Sequence, residues 1–450
     1  MTTATAPLDR YMAAFRDAES ARNGGSREDW LTPIRREAMV RFGALGLPTT
    51  SLEEWRYTSL KGLAGIDFRP AGTRPAGGYT AEKLHSRALA CGGGPIFTFV
   101  NGRFAPELSR MAEIQVGLKL LRLQEAARDH RADVEPHLAR LAGSRGQAFT
   151  ALNTAFLDDG ACLVVAPGTV VESPVHIVFL SSAAEAAPVI SHPRLLVIAG
   201  RRSQVTLVET YAGTGAGASF TNAVSEISAG EGSVVDHYKI QRESSAGFHI
   251  ATIEAELGRD ATYSSHSFSD GAALARNDIN VLMKDQGGDC TLNGLYIASG
   301  RQHIDNHTII DHARPHCSSR EIYKGVLGGS ARGVFDGKVI VRADAQKTDA
   351  RQANNNLLLS DSALVDTKPQ LEINADDVKC AHAATIGQLD PDSIFYLRSR
   401  GLGLAEARNL LVHGFVHEMI DRVKIGCLKL GLEGILYGRL DRESRVEASS

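Results

Sequence analysis

The sequence predicts a mainly β protein with helical ends, in which a β-helix (solenoid) core is flanked by an N-terminal helical domain and a C-terminal helical domain. Three patterns support this prediction: helical periodicity in the N-terminal part, a long series of short strands after it, and a return of helical periodicity past Asp390. We place the three domains at residues 1–150, 151–388 and 389–450.

The N-terminal domain is predicted to contain helices and one hairpin. Thr32 and Pro33 suit the N-cap and the first position of a helix. The stretches LKLLRLQEAARDH and VEPHLARLAG predict two further helices. GPIFTFVNGRF predicts a β-hairpin, because Asn101-Gly102 is the preferred two-residue turn.

Short strands separated by turn signals occupy the core. Val175, Ile177 and Phe179 alternate with their neighbours, as expected for a strand. The predicted turns include Pro167-Gly168, Ala229-Gly230, Gly287-Gly288, Gly328-Gly329 and Asp336-Gly337. A sandwich closes with about seven to nine strands, whereas a solenoid grows by stacking turns. The number of strands therefore favours a β-helix.

The C-terminal domain is predicted to hold two helices. The first should carry one apolar side, formed by Ala407, Leu410, Leu411, Phe415 and Met419. A second helix follows Gly426. Such helices could cap one end of the β-body or form a docking hairpin for a partner, and periodicity does not decide between the two.

Composition argues against several classes of function. The chain is 43% hydrophobic and 22% charged with a net charge of -3, which does not favour nucleic acid as a partner. No apolar run approaches the roughly 20 residues that span a membrane. The N-terminus lacks a secretion signal and carries Asp9, Asp17 and Glu19, which transit peptides avoid. We therefore expect a cytoplasmic protein.

The six cysteines lie far apart, and no CxxC pair occurs. A disulfide framework is not expected in a chain of this kind. We interpret each cysteine, except Cys380, as a small buried hydrophobic residue.

Motifs for catalysis are missing. Gly337-Lys338 is followed by Val339, so no phosphate-binding loop is present, and G-x-S-x-G and H-E-x-x-H are also absent. We therefore expect no enzyme activity.

The segment VKCAHAAT contains the best candidate ligands. On a strand, Cys380 and His382 would project from the same face. Thiolate and imidazole both bind iron, and cysteine dominates iron–sulfur sites. Two ligands cannot complete a cluster site, so a partner would have to supply the others. The alternative is that Cys380 fills space and His382 is a hydrogen-bonded edge residue.

A second group of histidines has no established ligand spacing. His303, Asp305 and His307 would share one face of a strand, and His312 and His316 follow. A metal site is conceivable there, but a polar rung on a solvated face is the more ordinary interpretation.

Several segments together resemble the SufB/SufD family. Residues 324–402, which include KGVLGGSARGVFDGKVIVRADAQKTDARQANNNLLLS, carry the densest match. Residues 151–179, 301–325 and the EEWRYTSL segment (53–60) add to it and indicate the SufD branch.

The resemblance implies a scaffold subunit of the SufBCD iron–sulfur cluster assembly complex. Such a subunit pairs with a SufB-type paralogue through the β-helix and binds a SufC-type ABC ATPase through its C-terminal helices. In the family, the histidine matched by His382 lies at that subunit interface. No cofactor is expected to be tightly bound. A transient cluster or iron would sit at the interface, and a reduced flavin in the complex and a homodimer of the isolated chain stay open.

The resemblance also implies differences from the SufB-type paralogue. That paralogue has a cluster-building cysteine in the segment matched by Asn354 to Leu357, where this chain has no thiol. It also has acidic residues where this chain has Ala381 and Ala383. This chain would therefore supply fewer ligands than its partner.

Two other classes of function fit the sequence less well. A β-helix carbohydrate-active enzyme needs clustered carboxylates, but Asp376 and Asp377 are neighbours that would face opposite ways on a strand. A purely structural interaction protein would bind no iron, and an iron titration of the complex separates it from the scaffold.

Overall fold

The computed structural model describes residues 5–23, 29–70, 80–111, 114–143, 146–184 and 187–449. Two β-sheets face each other in a solenoid of about eight turns, and helices pack on the outer face of each sheet. The predicted fold class is confirmed. No helix in these ranges is long and apolar enough to cross a bilayer.

The helices lie at the two ends of the chain. They are α1 (Thr5–Asn23), α2 (Thr32–Leu45), α3 (Lys61–Ala64), α4 (Ala81–Arg87), α5 (Leu123–Asp129), α6 (Arg131–Val134), α7 (Ala148–Ala155), α8 (Pro391–Ser399), α9 (Leu404–Asp421) and α10 (Gly426–Ser449). Short 3-10 turns occur at Glu53–Trp55 and Pro106–Leu108.

The strands begin in the N-terminal region and continue to the last turn of the solenoid. They are β1 (Arg69–Pro70), β2 (Ile96–Val100), β3 (Arg103–Phe104), β4 (Leu118–Arg122), β5 (Ala161–Val165), β6 (Val175–Ser182), β7 (Val189–Ser191), β8 (Arg194–Ala199), β9 (Gln204–Thr214), β10 (Ser219–Ala229), β11 (Val234–Arg242), β12 (Gly247–Leu257), β13 (Thr262–Ser269), β14 (Leu274–Met283), β15 (Asp289–Ala298), β16 (His303–His312), β17 (Ser318–Leu327), β18 (Arg332–Val341), β19 (Asp349–Leu358), β20 (Leu364–Ile373) and β21 (Lys379–Gln388).

From β8 onward, consecutive strands alternate between the two sheets. The first sheet has the order β4-β5-β8-β10-β12-β14-β16-β18-β20, with β7 between β1 and β10. The second has the order β3-β2-β6-β9-β11-β13-β15-β17-β19-β21. Leu274 pairs with His303, which pairs with Arg332, so one turn is about 30 residues long, within the range of solenoid repeats. Neighbouring solenoid strands are parallel, and the antiparallel strands β3 and β4 lie at the N-terminal end.

Each sheet needs cover on both faces, because parallel strands are apolar on both sides. The inner faces pack against each other in one continuous apolar cluster. N-terminal helices cover the outer face of the first sheet, where Phe42 and Phe149 join Phe220 and Ile250 in one cluster. These helices therefore belong to the structure of the solenoid and are more than an appended domain.

The C-terminal helices cover the outer face of the second sheet. Val412 and Val416 of α9 and Leu428 and Leu432 of α10 share a cluster with side chains from β9 to β19. Of the predicted apolar side of α9, Ala407 and Met419 are buried, but Leu410 is 51% exposed. The sheet selects the buried side from a helix that is apolar on several sides, and the buried residues are Ala407, Val412, Val416, Met419 and Ile420.

Three local predictions in the N-terminal part are wrong in whole or in part. The helix begins at Thr32 itself, whose hydroxyl donates to Asp29 instead of capping the helix. Of the predicted helix LKLLRLQEAARDH, the part LQEAARD is helical as α5, but LKLLR is the strand β4, because it pairs with the free edge of β5. VEPHLARLAG is helical only to Val134, and Ala139 takes a left-handed φ of 57°. The amides of Ala139 and Ala142 donate to the buried Glu226 carboxylate, which holds this segment out of a regular helix.

The predicted turn at Asp336-Gly337 is also wrong, since both residues lie in the middle of β18. Gly337 faces the interior, where a Cβ atom would come within 2.5 Å of the Gln352 amide and 2.6 Å of the Phe335 ring. Glycine here permits close packing rather than a turn. The hairpin prediction is confirmed: β2 and β3 are joined by Asn101 and Gly102, with φ angles of 49° and 82°.

The cysteines differ from expectation at one pair. Cys91 and Cys427, which are 336 residues apart, form a disulfide. Spacing along the chain gave no sign of this pair, because the two residues meet only when α10 packs on the second sheet. Cys162, Cys290 and Cys317 are buried free thiols, as predicted, and Cys380 is a half-buried free thiol.

Candidate functional site

The last turn of the solenoid, formed by β20 and β21, is the most exposed part of the β-body. β21 pairs with β19 on one side, and no other strand of the described ranges pairs with its second side. Unpaired backbone N–H and C=O groups along such an edge can bond to a strand of another chain. The solenoid therefore ends in a surface that is suited to protein contact.

Both predicted ligands lie on β21. Cys380 pairs with Ala350 of β19, and His382 pairs with Gln352. Since both partners are buried inward-facing residues and side chains alternate along a strand, Cys380 and His382 share the face that continues the solenoid interior. Cys380 is half-buried against the inner apolar cluster, whereas His382 is exposed.

Burial favours the protonated form of the Cys380 thiol. Burial raises the pKa of Cys380 above its usual value; the Ala350 backbone hydrogen bond opposes this shift, and the Asp349 carboxylate adds to it. Because the thiolate is the ligand form, a metal that binds here must displace a proton.

Cys380 and His382 alone do not make a complete ligand set. Across the described ranges, no group of three or more His, Cys, Asp or Glu side chains is arranged to hold a metal ion. Iron–sulfur clusters and tetrahedral sites commonly take four protein ligands. Two candidate ligands are therefore too few for a complete site within the described residues.

Apolar side chains surround this open end. Leu364 and Ile373 of β20 are 60% and 42% exposed, and Ile386 of β21 is 50% exposed. Phe395 and Tyr396 of α8, which follows β21, are 74% and 56% exposed. Several large apolar side chains exposed in one region are typical of a protein contact surface.

A buried carboxyl group that the sequence analysis missed lies behind His382. Glu321 of β17 pairs with Gln352, which in turn pairs with His382, so the three residues form one row along the second sheet. Gln352 Nε2 donates to Glu321 Oε2 at 2.7 Å. Burial raises the pKa of Glu321 from 4.5 to about 7. The one sequence signal was an acidic residue at an inward position of a strand.

The face formed by His303, Asp305 and His307 exists, but the prediction that it is solvated is wrong. Thr58 Oγ1 donates to Asp305 Oδ2 at 2.6 Å and lies 2.8 Å from His303 Nε2. Arg276 and His307 contact the same carboxylate at 2.8 and 2.9 Å. Burial disfavours the charged forms of Asp305 and His307, but these contacts outweigh it. The pKa of Asp305 is well below its usual value, and the pKa of His307 is raised.

These contacts anchor the EEWRYTSL segment (53–60) to the first sheet. Arg276 donates to the Glu54 carbonyl oxygen at 2.6 Å and lies 3.9 Å above the Trp55 ring. Asp305 Oδ2 accepts from Thr58 and Arg276, and Oδ1 lies 2.9 Å from His307 Nε2, so this cluster holds the N-terminal region on the solenoid.

The remaining two histidines lie elsewhere. His312 faces the interior, 2.9 Å from the Ser319 hydroxyl, and burial lowers the pKa of His312 to about 4. His316 is exposed in the turn after β16. The four histidines therefore do not form one site.

Two family models match the chain. The model described as "SUF system FeS cluster assembly, SufBD core domain" matches residues 179–415, and the model described as "SufBD protein N-terminal region" matches residues 6–177. The chain belongs to the SufBD family. The SufBD core match contains both Cys380 and His382 and ends within α9.

Curated SufBD relatives extend over most of the chain. An iron–sulfur cluster assembly SufBD family protein from Synechocystis is 34% identical over 94% of this chain and 93% of its own length. The iron–sulfur cluster assembly protein SufD of Escherichia coli is 29% identical over 88% of this chain and 90% of its own length. SufD of Bacillus subtilis is 29% identical over 69% of this chain and 71% of its own. The family resemblance seen in the sequence is thus confirmed, and it connects the chain to iron–sulfur cluster assembly.

The residues beside the candidate ligands are amides and alanines. Asn354 and Asn356 face the interior of β19, and Asn356 Nδ2 donates to Asn354 Oδ1 at 2.6 Å. Ala381 and Ala383 flank His382 on the opposite face of β21. The open end of this SufBD chain is therefore poor in ligands apart from Cys380 and His382.

Proposed function

We propose that this chain is a scaffold subunit of an iron–sulfur cluster assembly complex and has no catalytic activity of its own. It pairs with a SufB-type paralogue through the last turn of the solenoid, and its C-terminal helices bind a SufC-type ATPase. The observation that carries the proposal is the open last turn, where Cys380 and His382 stand at an unpaired sheet edge among exposed apolar side chains. The SufD relatives support the same role.

An incomplete ligand set on this chain suits an iron–sulfur cluster or iron that must later be released from the site. Cys380 supplies a thiolate after losing its proton, and His382 supplies an imidazole nitrogen. The partner subunit supplies the other ligands, so the cluster or iron lies in the seam between two chains. Separation or sliding of the subunits then removes half of the ligands and releases the cargo.

The C-terminal helices are suited to receive a partner on their outer side. α9 and α10 bury one side against the second sheet, but Leu410, Leu430 and Tyr437 remain 51%, 70% and 51% exposed. The chain has no phosphate-binding loop of its own, so a docked ATPase is the source of ATP hydrolysis in the complex.

Direct contacts can transmit movement of the C-terminal helices to the last turn of the solenoid. Arg408 of α9 donates to the carbonyl oxygen of Leu359, directly after β19, at 3.0 Å. Lys324 of β17 donates to the Phe415 carbonyl oxygen at 2.9 Å and pairs with Glu418. β17 and β19 are the two strands that precede β21 in the second sheet, so the proposal links ATPase movement to the seam.

His382→Ala is expected to lower cluster content at least about tenfold, as loss of a metal-site residue commonly does. The measurement is absorption of the purified complex with SufB-type and SufC-type partners after anaerobic loading with iron and sulfide. Lys379→Ala is the matched control, because Lys379 is exposed on the opposite face of the same strand. Unchanged cluster content in an intact His382→Ala complex would contradict a ligand or interface role.

Leu430→Asp is expected to weaken binding of the SufC-type subunit by tenfold or more, since a charge then faces an apolar contact. A point substitution is preferable to deletion of α9 and α10, because deletion would uncover the apolar outer face of the second sheet. Val40→Asp is the control, since Val40 of α2 is 73% exposed on the other side of the molecule. Equal affinities of both variants, measured by calorimetry, would place the ATPase elsewhere.

A further inference from the structure

The disulfide between Cys91 and Cys427 joins two parts of the chain that have separate attachments to the solenoid. Cys91 lies in the loop between α4 and β2, and Cys427 lies in the first turn of α10. Side chains of the second sheet fix the loop: His176 Nε2 donates to the Cys91 carbonyl oxygen at 2.7 Å, and Thr210 Oγ1 donates to that of Ala88 at 3.1 Å. The loop is therefore a fixed anchor point.

α10 fits closely against this loop. A Cβ atom on Gly431 would lie 2.7 Å from Leu89 Cδ2, so the helix approaches Leu89 as closely as a glycine allows. Leu89 itself has a left-handed φ of 54°. The sulfur atoms lie at the margin of this contact, where Cys91 is half-buried and Cys427 is exposed.

Other contacts keep the helix pair on the solenoid without the disulfide. Lys424, which precedes α10, contacts the Asp236 carboxylate at 3.0 Å, and its backbone N–H donates to the Tyr238 hydroxyl at 3.1 Å. Leu428, Leu432 and the buried side of α9 pack in the apolar cluster. Loss of the covalent bond would therefore loosen the start of α10 and leave the fold intact.

We propose that Cys91 and Cys427 form a redox-sensitive tether that controls the mobility of the C-terminal helix pair. In the oxidised protein the bond holds the start of α10 against the loop at residues 88–92. In the reduced protein the first turns of α10 open more often. The consequence for ATPase binding rests on the proposed function, whereas the tether itself does not.

The exchange reaction needs only a small thiol as the reductant. A thiolate attacks the exposed Cys427 sulfur, forms a mixed disulfide and releases Cys91 as a thiolate, which takes up a proton. A second thiolate then displaces Cys427, so two thiols become one small disulfide and the protein gains two thiols. The reverse reaction with a small disulfide restores the tether.

The first test counts thiols on the full chain. Alkylation under denaturing conditions without reductant should modify four of the six cysteines, and the unmodified pair should be Cys91 and Cys427. Prior reduction should make all six reactive. Six reactive thiols in protein purified without reductant and then treated with a small disulfide would overturn the proposal.

The second test measures amide hydrogen exchange of the full chain in the oxidised and reduced states. We expect exchange in the first turns of α10 to become about tenfold or more faster on reduction, with no change in β12 to β17. The Cys91→Ser, Cys427→Ser double variant should exchange at the reduced rate and should not respond to reductant. Identical exchange in both states of the wild type would overturn the tether.

ATPase binding, measured in parallel, separates the two proposals. We expect the affinity for the SufC-type subunit to differ by about tenfold or more between the two redox states. Equal affinities together with unequal exchange would retain the tether and remove its effect on docking. No binding in either state would remove the proposed function, and hydrogen exchange would still decide the tether.

Discussion

Glu226→Gln is expected to destabilise the protein by about 3–5 kcal/mol, because it leaves a buried arginine without its counter-charge. Arg194 of β8 and Glu226 of β10 are both fully buried, and Arg194 contacts Glu226 Oε2 through two nitrogen atoms at 2.5 and 3.1 Å. The same carboxylate accepts the amides of Ala139 and Ala142 at 2.9 and 3.0 Å. Glutamine keeps the size of the side chain but removes its charge.

The measurement is urea unfolding followed by circular dichroism, with stability taken from the midpoint and slope. Glu37→Gln is the control, because Glu37 forms an exposed ion pair with Arg41 on α2. That variant should unfold at the wild-type midpoint, since exposed pairs contribute little. If the urea midpoint of Glu226→Gln were close to that of the control, another group would have to balance the buried charge of Arg194.

Glu321→Gln is expected to stabilise the protein at pH 8 by about 3 kcal/mol and to have no effect near pH 4. The pKa of Glu321 is raised by burial from 4.5 to about 7 in the folded state. Between these values the folded protein keeps a proton that the unfolded chain has lost, so stability falls as pH rises through this range. Glutamine never ionises, and it can still accept the hydrogen bond from Gln352.

The matched control is Glu209→Gln, which is expected to change the stability in the opposite direction and destabilise the protein. Burial alone would raise the pKa of Glu209, but bonds from His237, Tyr211 and Ser225 lower it to about 2. Glu209 therefore stabilises the fold above about pH 4.5, and this contribution is lost as the pH falls toward 2. Urea midpoints of both variants across pH 4 to 8 check the pair. If the difference in urea midpoint between Glu321→Gln and wild type did not change with pH, that result would contradict a protonated Glu321.

Much of the fold was predictable because it repeats one local pattern. Alternation with a period of two, with a turn signal after each strand, recurs through the core. Each turn of the solenoid therefore packs on its neighbour in the same way. The Asn101-Gly102 hairpin and the helices after Asp390 also follow from local rules. Cys380 and His382 could be found because two residues of the right chemistry stand two positions apart on a strand.

Local rules failed where a distant partner determined the conformation. LKLLR has helical periodicity, but the free edge of β5 makes it a strand. VEPHLARLAG could continue as a helix, but the Glu226 carboxylate binds its amides. In both cases a long-range hydrogen-bond partner outweighs an intrinsic preference of a few tenths of a kcal/mol per residue.

By itself, the sequence determined the solenoid, its helical ends, the family and the placement of the two candidate ligands on one strand. Only the tertiary structure decided that Glu321 stands in a row with Gln352 and His382, that Thr58 closes the His303 and Asp305 cluster, and that Cys91 bonds to Cys427. The physical reason is that a repeat pattern specifies which face each side chain takes within a turn. Which turns and helices come to lie side by side depends on the residues in every turn between them.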